Sequence, residues 1–525
     1  MRALLISLAA VSLSLVACSG DSATPGAGGG ASSGTVAEGA GGGSNASTGA
    51  GGSIPPPSTT CDVPATAADV SNPTTVVGTG DGTCTEALLD AAIAAGGVIT
   101  FDCGASATIP ITSAKTVAAT TVIDGGNTVT LSAGGANRIF LTQGDGDFTV
   151  QNIALNDAMV DGARGDGPSD ANSGAAIYRQ SNGTLTVIHA SFSNDHATDA
   201  GADVAGGAIY SYGGDTVIVD STFTGNSAAS GGAVGNLRSN LTIVNSTFSG
   251  NSATDQNGGA MYLDGQNADH GKVFTLCGVV VSANRAKNEA GGVYRYGYPG
   301  ESTVIDLSSF EGNTAEDPSG GLGGGLYVQT DTVGAMPLAM SNSSIAGNTA
   351  GRGAGGMFVY NCPTTLTNVT VANNVALNSL GGGLDMNGVP GTLQSVTIAG
   401  NHADHPDSFG GGVIGATGLM LFDSIIAGNT AGNAYNPVSC TDAFAGGDHD
   451  IQFPATESSG QADTPCVAGI TFADPLLGPL MDNGGTTQTM APGAGSPAIG
   501  AGASCPATDQ RGAARTPSCD IGACQ

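Results

Sequence analysis

The chain has 525 residues, including 87 glycines and no tryptophan, and its 13 Lys and Arg residues against 43 Asp and Glu residues give a net charge of −30. This acidity argues against nucleic acid as a partner, because binding to phosphates needs clustered Lys and Arg. Apolar residues make up 40% of the chain, so it is not a disordered polyanion either.

Residues 1–17 have the features of an export signal: a single positive charge, then an apolar run too short to span a membrane. The run ends in Leu15-Val16-Ala17-Cys18, which resembles the lipobox of bacterial lipoproteins, where the cysteine is lipidated and becomes the mature N-terminus. The resemblance implies lipidation of Cys18 and, because Ser19 follows it, sorting to the outer membrane. The alternative is an ordinary secretory signal cleaved next to a cysteine.

Residues 18–58 are rich in Gly, Ser and Ala and show no apolar periodicity. Such a composition is typical of a flexible tether. A flexible segment of this length would hold the folded part roughly 35 Å from its anchor. We therefore expect the folded part to begin near residue 59.

A short motif recurs ten times through the middle of the chain. Its apolar anchor stands at Ile153, Phe192, Phe223, Phe248, Val281, Phe310, Ile345, Val371, Ile398 and Ile426. Three residues after each anchor comes asparagine, or aspartate in one copy: Asn156, Asp195, Asn226, Asn251, Asn284, Asn313, Asn348, Asn374, Asn401 and Asn429. Five residues before each anchor stands another large apolar residue: Phe148, Val187, Ile218, Ile243, Leu276, Ile305, Met340, Leu366, Leu393 and Leu421.

Successive copies of the motif are 25 to 39 residues apart, a period typical of solenoids. Within a copy, Leu241 and Ile243 alternate with polar Thr242 as in a strand, and glycine pairs mark the turns. The sequence therefore predicts an all-β fold, a right-handed parallel β-helix of about ten to twelve coils.

In such a coil, equivalent residues stack about 4.8 Å apart, and stacked amides form hydrogen-bonded ladders. We expect a structural ladder at Asn226, Asn251, Asn284, Asn313, Asn348, Asn374, Asn401 and Asn429. A ligand-binding role for these asparagines is the alternative.

The segments "GGAIY", "FTGN", "GGAV", "FSGN" and "GGAMY" between residues 206 and 262 resemble the GGA-I and F-x-x-N repeats of polymorphic outer-membrane proteins, within the pectin-lyase-like superfamily. The resemblance covers roughly residues 152–429 and implies a β-helix over residues 146–430. Upstream, Gly80–Gly104 resembles the entry segment of secreted bacterial β-helix proteins. That likeness implies an N-terminal cap over residues 59–145, with a short helix at about Thr85 to Ala95 covering the open end of the core.

Residues 431–525 contain "DPLLGPLMDNGGTTQTM" and "DQRGAARTPSCDIGACQ", which resemble the choice-of-anchor Q domain. In that family the domain precedes variable anchoring signals. The chain stops at Gln525, so we expect the N-terminal lipid to serve as the anchor. The resemblance implies display at the cell surface and says little about chemistry.

Ten cysteines remain once Cys18 is set aside, and the cysteines of an exported protein can form disulfides. Three local disulfides are predicted: Cys84 with Cys103, Cys440 with Cys466, and Cys505 with Cys519. Ten cysteines allow many connectivities, so the other pairs stay open. No spacing of Cys and His indicates a zinc site.

The superfamily includes polysaccharide lyases and hydrolases, but a shared fold does not confer an activity. The galacturonan hydrolases carry Asn-Thr-Asp, Asp-Asp, Gly-His-Gly and Arg-Ile-Lys motifs, and none of these occurs here. This weakens a hydrolase mechanism with two carboxylates. No cofactor is expected for a display protein, whereas a lyase would need calcium held by acidic side chains.

Positive charge and tyrosines interleave in one region. The candidate glycan-binding residues are Lys272, Arg285, Lys287, Arg295, Tyr294, Tyr296 and Tyr298. The three tyrosines alternate, so in an extended segment they share one face, and such a surface suits a uronate or sulfated glycan. The alternative is a solvent-facing sheet on which tyrosines pack and charges aid solubility.

The segment Asn401–Asp407 offers His402, Asp404, His405 and Asp407 as weak candidates for metal binding. The alternative is a solvated turn, because a short loop with a proline rarely closes a metal site by itself.

We therefore expect a bacterial cell-envelope protein, an outer-membrane lipoprotein exposed at the surface or secreted. Its β-helix would be structural or adhesive, with membrane lipid and extracellular polysaccharide or surface proteins as partners. The alternative is an enzyme of the pectate-lyase type that binds or degrades polysaccharide. A third hypothesis is a building block of an extracellular assembly.

Overall fold

The computed structural model describes residues 60–162, 172–201, 203–266, 273–387 and 390–525. They form a right-handed parallel β-helix of about 13 coils. The predicted fold class is confirmed, with slightly more coils than expected. The additional coils lie in the entry segment, where Gly97–Phe101 and Thr121–Asp124 already pair in parallel although no repeat motif marks them.

Three parallel sheets run along the described coils. The wide sheet has 26 strands, which are Thr75–Val77, Gly97–Phe101, Ala107–Pro110, Thr121–Asp124, Val129–Ser132, Phe148–Gln151, Ala154–Asn156, Thr184–Ile188, Ser191–Ser193, Asp215–Val219, Thr222–Thr224, Asn240–Val244, Thr247–Ser249, Val273–Cys277, Val280–Ser282, Ser302–Asp306, Ser309–Glu311, Leu338–Ala346, Thr364–Ala372, Gly391–Gln394, Thr397–Ala399, Leu419–Phe422, Ile425–Ala427, Gly446–Asp448, Ile451–Phe453 and Thr471–Phe472. The narrow sheet has ten strands, which are Met159–Val160, His196–Ala197, Ser227–Ala228, Ser252–Ala253, Arg285–Ala286, Thr314–Ala315, Thr349–Ala350, Val375–Ala376, His402–Ala403 and Thr430–Ala431. The tyrosine sheet has eleven strands, which are Lys115–Val117, Phe140–Thr142, Ile177–Gln180, Ile209–Tyr212, Val234–Leu237, Met261–Asp264, Val293–Gly297, Leu326–Thr330, Met357–Tyr360, Leu384–Asp385 and Val413–Ile414.

Most coils pass through the sheets in the same order: two strands of the wide sheet, one of the narrow sheet, then one of the tyrosine sheet. Where the two wide-sheet strands meet, one residue often has a left-handed backbone, such as Asp220 (φ 47°) or Asn245 (φ 49°). Asn and Asp tolerate this conformation better than most residues. The turn sends the apolar anchor after it, such as Phe223 or Phe248, into the core, where both rings are fully buried.

The anchor residues stack along the interior. Phe192, Phe223 and Phe248 occupy equivalent positions in neighbouring coils. Their ring centroids are 4.7 and 4.5 Å apart, with ring planes within 3° of parallel. Nine of the ten predicted anchors, from Phe192 to Ile426, therefore stack in register, one for each coil. The first copy was placed two residues too early, because Leu155 rather than Ile153 pairs with Phe192.

The eight asparagines lie in one buried ladder, as the repeat predicts, each at most 1% exposed. Each Nδ2 from Asn226 to Asn401 donates to the Oδ1 of the next asparagine at 2.9 Å. The same Oδ1 also accepts from the backbone N–H of the asparagine one coil before, at 2.9–3.0 Å. Their amides are thus used within the fold.

Asp195 stands at the N-terminal end of this ladder. Its N–H donates to Asn226 Oδ1 at 3.0 Å, and its Oδ1 accepts from the Ala158 N–H at 2.9 Å. Its Oδ2 is buried and has no hydrogen-bond partner among the described residues. Burial raises the pKa of this carboxyl well above the ordinary value of 3.8, and the bond from Ala158 opposes the rise only in part.

Asp195→Asn is expected to stabilise the protein at neutral pH. An amide there would donate to Leu155 O, as Asn226 Nδ2 donates to Phe192 O at 3.3 Å. In the wild type the folded state holds the Asp195 proton more tightly than the unfolded chain does. The contribution of the Asp195 carboxyl to stability is therefore fully present below about pH 4 and is lost as the pH rises through its folded-state pKa.

Denaturant unfolding of both proteins between about pH 4 and about pH 8 checks this expectation. The stability difference in favour of the variant should widen with pH. Parallel profiles for the two proteins would contradict the assignment of a raised pKa to Asp195.

The described residues contain the predicted capping helix, Glu86–Ala95, whose N-terminal N–H at Leu88 is capped by Thr85 Oγ1. Leu89, Ala92 and Ile93 are buried against the first coil, so the helix shields one end of the apolar core. No helix in the described ranges is long and apolar enough to cross a membrane.

The three predicted local disulfides are present. A fourth joins Cys61 to Cys277, 216 residues away, and fastens the segment before the first strand to the wide sheet. Cys362 and Cys524 are buried and unpaired.

The segment after Phe472 turns back along the outer face of the wide sheet. Gln510 Oε1 accepts from Thr370 Oγ1 at 2.7 Å, and the Ala523 N–H donates to Thr397 Oγ1 at 3.0 Å. Part of the predicted C-terminal cap thus covers the side of the coil rather than its end. The tyrosine sheet faces another side.

Candidate functional site

Alternation along the tyrosine sheet separates inward from outward side chains. In the strand Val293–Gly297, Val293 belongs to the apolar core, whereas Tyr294 belongs to a separate cluster on the outside of the sheet. Arg295 pairs in register with Leu263 and Val328, both core residues. The tyrosines and Arg295 therefore point to opposite sides of the sheet.

The outside of this sheet carries two aromatic columns. The inner column holds aromatic side chains at one register position, in two stacks separated by Gly235, with neighbouring centroids within each stack 4.7–5.4 Å apart. Its members are Tyr178, Tyr210, Tyr262, Tyr294, Tyr327 and Phe358. All are at most 8% exposed, because Ala205, Ala290 and Ala354 from adjoining turns pack over them.

The outer column lies two residues further along each strand and reaches solvent except at Leu237, which is 5% exposed. It contains Gln180, Tyr212, Leu237, Asp264, Tyr296, Gln329 and Tyr360. Tyr298 lies just beyond it, 46% exposed, with its ring centroid 5.2 Å from that of Tyr296 in an edge arrangement. Nine of the ten tyrosines in the chain are thus on this side of the coil, and Tyr435 is the exception.

Hydrogen bonds hold the tyrosine hydroxyls in place. Gln329 Nε2 donates to Tyr294 Oη, and Gln329 Oε1 accepts from Tyr327 Oη, both at 2.9 Å. Tyr296 Oη donates to the Asp331 carboxylate, and this bond, together with burial and the Asp331 charge, raises the pKa of Tyr296 to about 12. The hydroxyls of this face are therefore held in fixed positions, and the Tyr296 hydroxyl stays protonated and uncharged at neutral pH.

The structure divides the predicted glycan-binding residues among different places. Tyr296 and Tyr298 are on the open face, whereas Tyr294 is 6% exposed beneath it. Arg285 lies in the narrow sheet and pairs with Glu316, and Lys287 follows it and pairs with Asp255 at 3.3 Å. The predicted grouping of rings and cations on one face is therefore not formed by these residues.

Arg295 departs furthest from its predicted role. Its side chain is fully buried and forms an ion pair with Glu301. Alternation within the strand turns it inward, so its guanidinium does not contact the outer face. Cys18 and Lys272 lie outside the described residues, as does the predicted tether at 18–58.

The four candidate metal ligands form two separate pairs. His402 Nε2 is 3.0 Å from Asp404 Oδ1, and His405 Nδ1 is 3.9 Å from Asp407 Oδ2. Across the described ranges, no cluster of three or more His, Cys, Asp or Glu side chains is arranged to hold a metal ion.

A cleft of about 720 Å³ opens beside the outer column, within the size range of ligand sites. Its floor includes Tyr210, Tyr212 and Leu237, and its walls include Asp264, Gln266 and Tyr298. Asp203 and Arg238 stand at its sides. Sequence reasoning found Tyr298 and missed the other residues of the cleft, although an aromatic residue closely following the glycine pairs, as in "GGAIY", "GGAMY" and "GGVYRY", was a usable signal.

Glu301 holds together the two backbone segments that line this cleft. It is 5% exposed, and its carboxylate accepts from the backbone N–H of Gln266 at 2.7 Å and of Tyr298 at 3.1 Å. The buried Arg295 neutralises it. The Arg295–Glu301 pair thus positions both walls and leaves Asp203 and Asp264 as the carboxylates that face the ligand space.

No family model matches this chain, and no curated protein matches it. Among solved structures, the chain is similar to the A-module of the mannuronan C-5 epimerase AlgE6 of Azotobacter vinelandii, at 16% sequence identity and a TM-score of 0.32. The match covers 72% of this chain and 97% of that module.

Proposed function

We propose that this chain is a lipid-anchored protein of the bacterial envelope that binds glycan on the outer face of its tyrosine sheet. The observation that carries the proposal is the gathering of nine of the ten tyrosines on one side of the coil, where Tyr212, Tyr296, Tyr298 and Tyr360 reach solvent above the buried inner column. Tyrosine offers a flat apolar ring and a polar tip, and orders at low entropic cost. A row of such rings suits the alternating apolar faces and hydroxyl edges of sugars.

The net charge of the protein further limits the class of glycan that can bind. With a net charge of −30, the surface repels polyanions and attracts neutral or cationic chains. The uronate or sulfated glycan expected from interleaved basic residues loses its support here, because Arg295 is buried and Arg285 and Lys287 are paired with carboxylates. Neutral or cationic polysaccharide is the favoured class.

Tyr296→Ala is expected to weaken glycan binding by roughly tenfold or more, the usual effect of truncating an aromatic anchor. Binding of the full-length protein to a glycan array measures this. Tyr435→Ala is the matched control, because Tyr435 is 72% exposed and lies outside both aromatic columns. Equal binding by both variants would contradict the proposal, provided that thermal melts show intact folds.

The membrane anchor has its own test. Cys18→Ser should abolish labelling by radioactive palmitate and release the protein from the membrane fraction, because the lipobox cysteine is the acceptor of the lipid. Ser19→Ala is the control and should leave labelling intact. Persistent labelling of the Cys18 variant would contradict lipidation at this residue.

A further inference from the structure

The cleft at the edge of the tyrosine sheet contains buried polar atoms that the fold leaves unused. Tyr210 is 1% exposed and Gln266 is 6% exposed. Neither the Tyr210 hydroxyl nor the Gln266 amide nitrogen and oxygen has a hydrogen-bond partner among the described residues. Unsatisfied buried groups are unfavourable and rare in folded proteins, so three such atoms in two residues that line one cleft indicate partners supplied by a ligand.

The carboxylates of the cleft indicate that the ligand carries a positive charge. Asp203 and Asp264 line the cleft and have no ion-pair partner in the part of the chain that the structure describes. Each accepts one tyrosine hydroxyl, Asp203 from Tyr262 at 3.1 Å and Asp264 from Tyr298 at 3.0 Å. Hydroxyl donors orient both carboxylates without neutralising them.

Among the described residues that line the cleft, Arg238 is the only cation, and it does not compensate for the carboxylates. Arg238 is exposed, stands over the Tyr212 ring at 6.0 Å, and donates to the Tyr212 hydroxyl at 3.3 Å. Its contacts are with the aromatic rim. The interior of the cleft therefore favours a positive group, and the tyrosine faces add cation–π attraction for it.

We infer that this cleft binds a sugar unit with a free amine, a 2-amino-2-deoxyhexose within a cationic polysaccharide. The ammonium group lies toward Asp203 and Asp264, and the hydroxyl groups exchange hydrogen bonds with Gln266 and Tyr210. The sugar ring packs against Tyr212 and Tyr298. This inference rests on the proposed function and adds the ligand class and the subsite.

The same arrangement selects against two related sugars. An N-acetylated unit has no positive charge to offset the two carboxylates. A uronate adds a third negative charge to them, and juxtaposed like charges oppose binding. Discrimination between these three sugars is the property that the cleft should confer.

Calorimetric titration of the purified full-length protein tests the inference, at a pH where free amines are protonated. The probes are a glucosamine hexasaccharide, its fully N-acetylated counterpart and hexagalacturonate. We expect the free amine to bind at least about tenfold more tightly than the acetylated probe, and hexagalacturonate most weakly, in line with the discrimination that opposite and like charges give.

Asp264→Asn identifies the subsite. The amide oxygen still accepts from Tyr298, so the wall keeps its shape while the charge is lost. Asp442→Asn removes the same charge at an exposed position outside the cleft and controls for the electrostatics of the whole protein. The preference for the free amine should fall to about threefold or less in the first variant and persist in the second.

Equal affinity for the amine and acetylated probes, or the same response from both variants, would overturn the inference. If these probes fail while other glycans are still retained through Tyr296, the subsite is wrong and the glycan-binding surface stands. If no glycan binds at all, both proposals fall.

Discussion

Phe248→Ala is expected to lower the free energy of unfolding by about 3–5 kcal/mol, the range for removing a buried aromatic side chain. Phe248 is fully buried, stacks on Phe223 at a centroid distance of 4.5 Å, and meets Val281 in the next coil. Truncation leaves a cavity between two coils. The coils cannot approach each other to close it, because the asparagine ladder and the sheets fix the distance between them.

Equilibrium denaturation measures this loss. Phe472→Ala makes the same chemical change in the same wide sheet at a position that is 39% exposed, and it should cost less than about 1 kcal/mol. Because a solenoid distributes stability over neighbouring repeats, local unfolding around the cavity can precede global loss. A change for Phe248→Ala as small as that of the control would place this residue outside the core.

Asn284→Ala, in the middle of the ladder, is expected to lower the free energy of unfolding by about 2–6 kcal/mol, because it leaves buried groups unsatisfied at about 1–3 kcal/mol each. Asn284 Oδ1 accepts from the N–H and from Nδ2 of Asn251, both at 2.9 Å. Its Nδ2 donates to Phe248 O at 3.0 Å and to Asn313 Oδ1 at 2.9 Å. The substitution leaves the Asn251 N–H and Phe248 O without these partners.

Asn72→Ala is the matched control for this experiment, since Asn72 is exposed and its side chain donates only to Ser71 Oγ among the described contacts. Its effect should stay within about 0.5 kcal/mol. If the two alanine variants unfold at the same denaturant concentration, the ladder contributes nothing to stability and its role needs another explanation.

The interior of this protein was predictable because each coil repeats the same physical requirement. A coil needs one inward anchor such as Phe223 and one turn amide such as Asn226, so both recur at fixed offsets in the sequence. The capping helix was predicted from the resemblance of Gly80–Gly104 to the entry segment of secreted bacterial β-helix proteins, and Thr85 caps it in the structure. Local disulfides followed from the short segments between their cysteines.

The outer face was harder to predict because register between coils depends on turns of unequal length. Tyr262 and Tyr294 stack only because the intervening turns bring their strands into line, and no fixed sequence offset records this. Arg295 was misplaced for a different reason. Its proximity to tyrosines in the sequence indicated a shared surface, whereas alternation within the strand turns the Arg295 side chain inward. Its partner Glu301 lies beyond the end of that strand, and the turn between them brings the two side chains together.

Apart from Tyr298, the cleft could not be assembled from sequence. Asp203, Arg238 and Asp264 come from three coils and belong to no motif, and the Cys61–Cys277 disulfide spans 216 residues. Such contacts depend on the three-dimensional path of the chain. The repeat thus defines the scaffold, and the positions where the repeat varies define the candidate site.

The tyrosine emission of the protein gives the most direct test of a glycan-binding tyrosine face. Because the chain lacks tryptophan and nine of its ten tyrosines lie on this side of the coil, its intrinsic fluorescence reports mainly on the proposed surface. Titration with soluble neutral and cationic polysaccharides should give a saturable change in emission that is lost in a Tyr212→Ala, Tyr296→Ala, Tyr360→Ala triple variant and kept in Tyr435→Ala. A glycan that binds the protein with unchanged tyrosine emission, or equally well to the triple variant, would contradict the account.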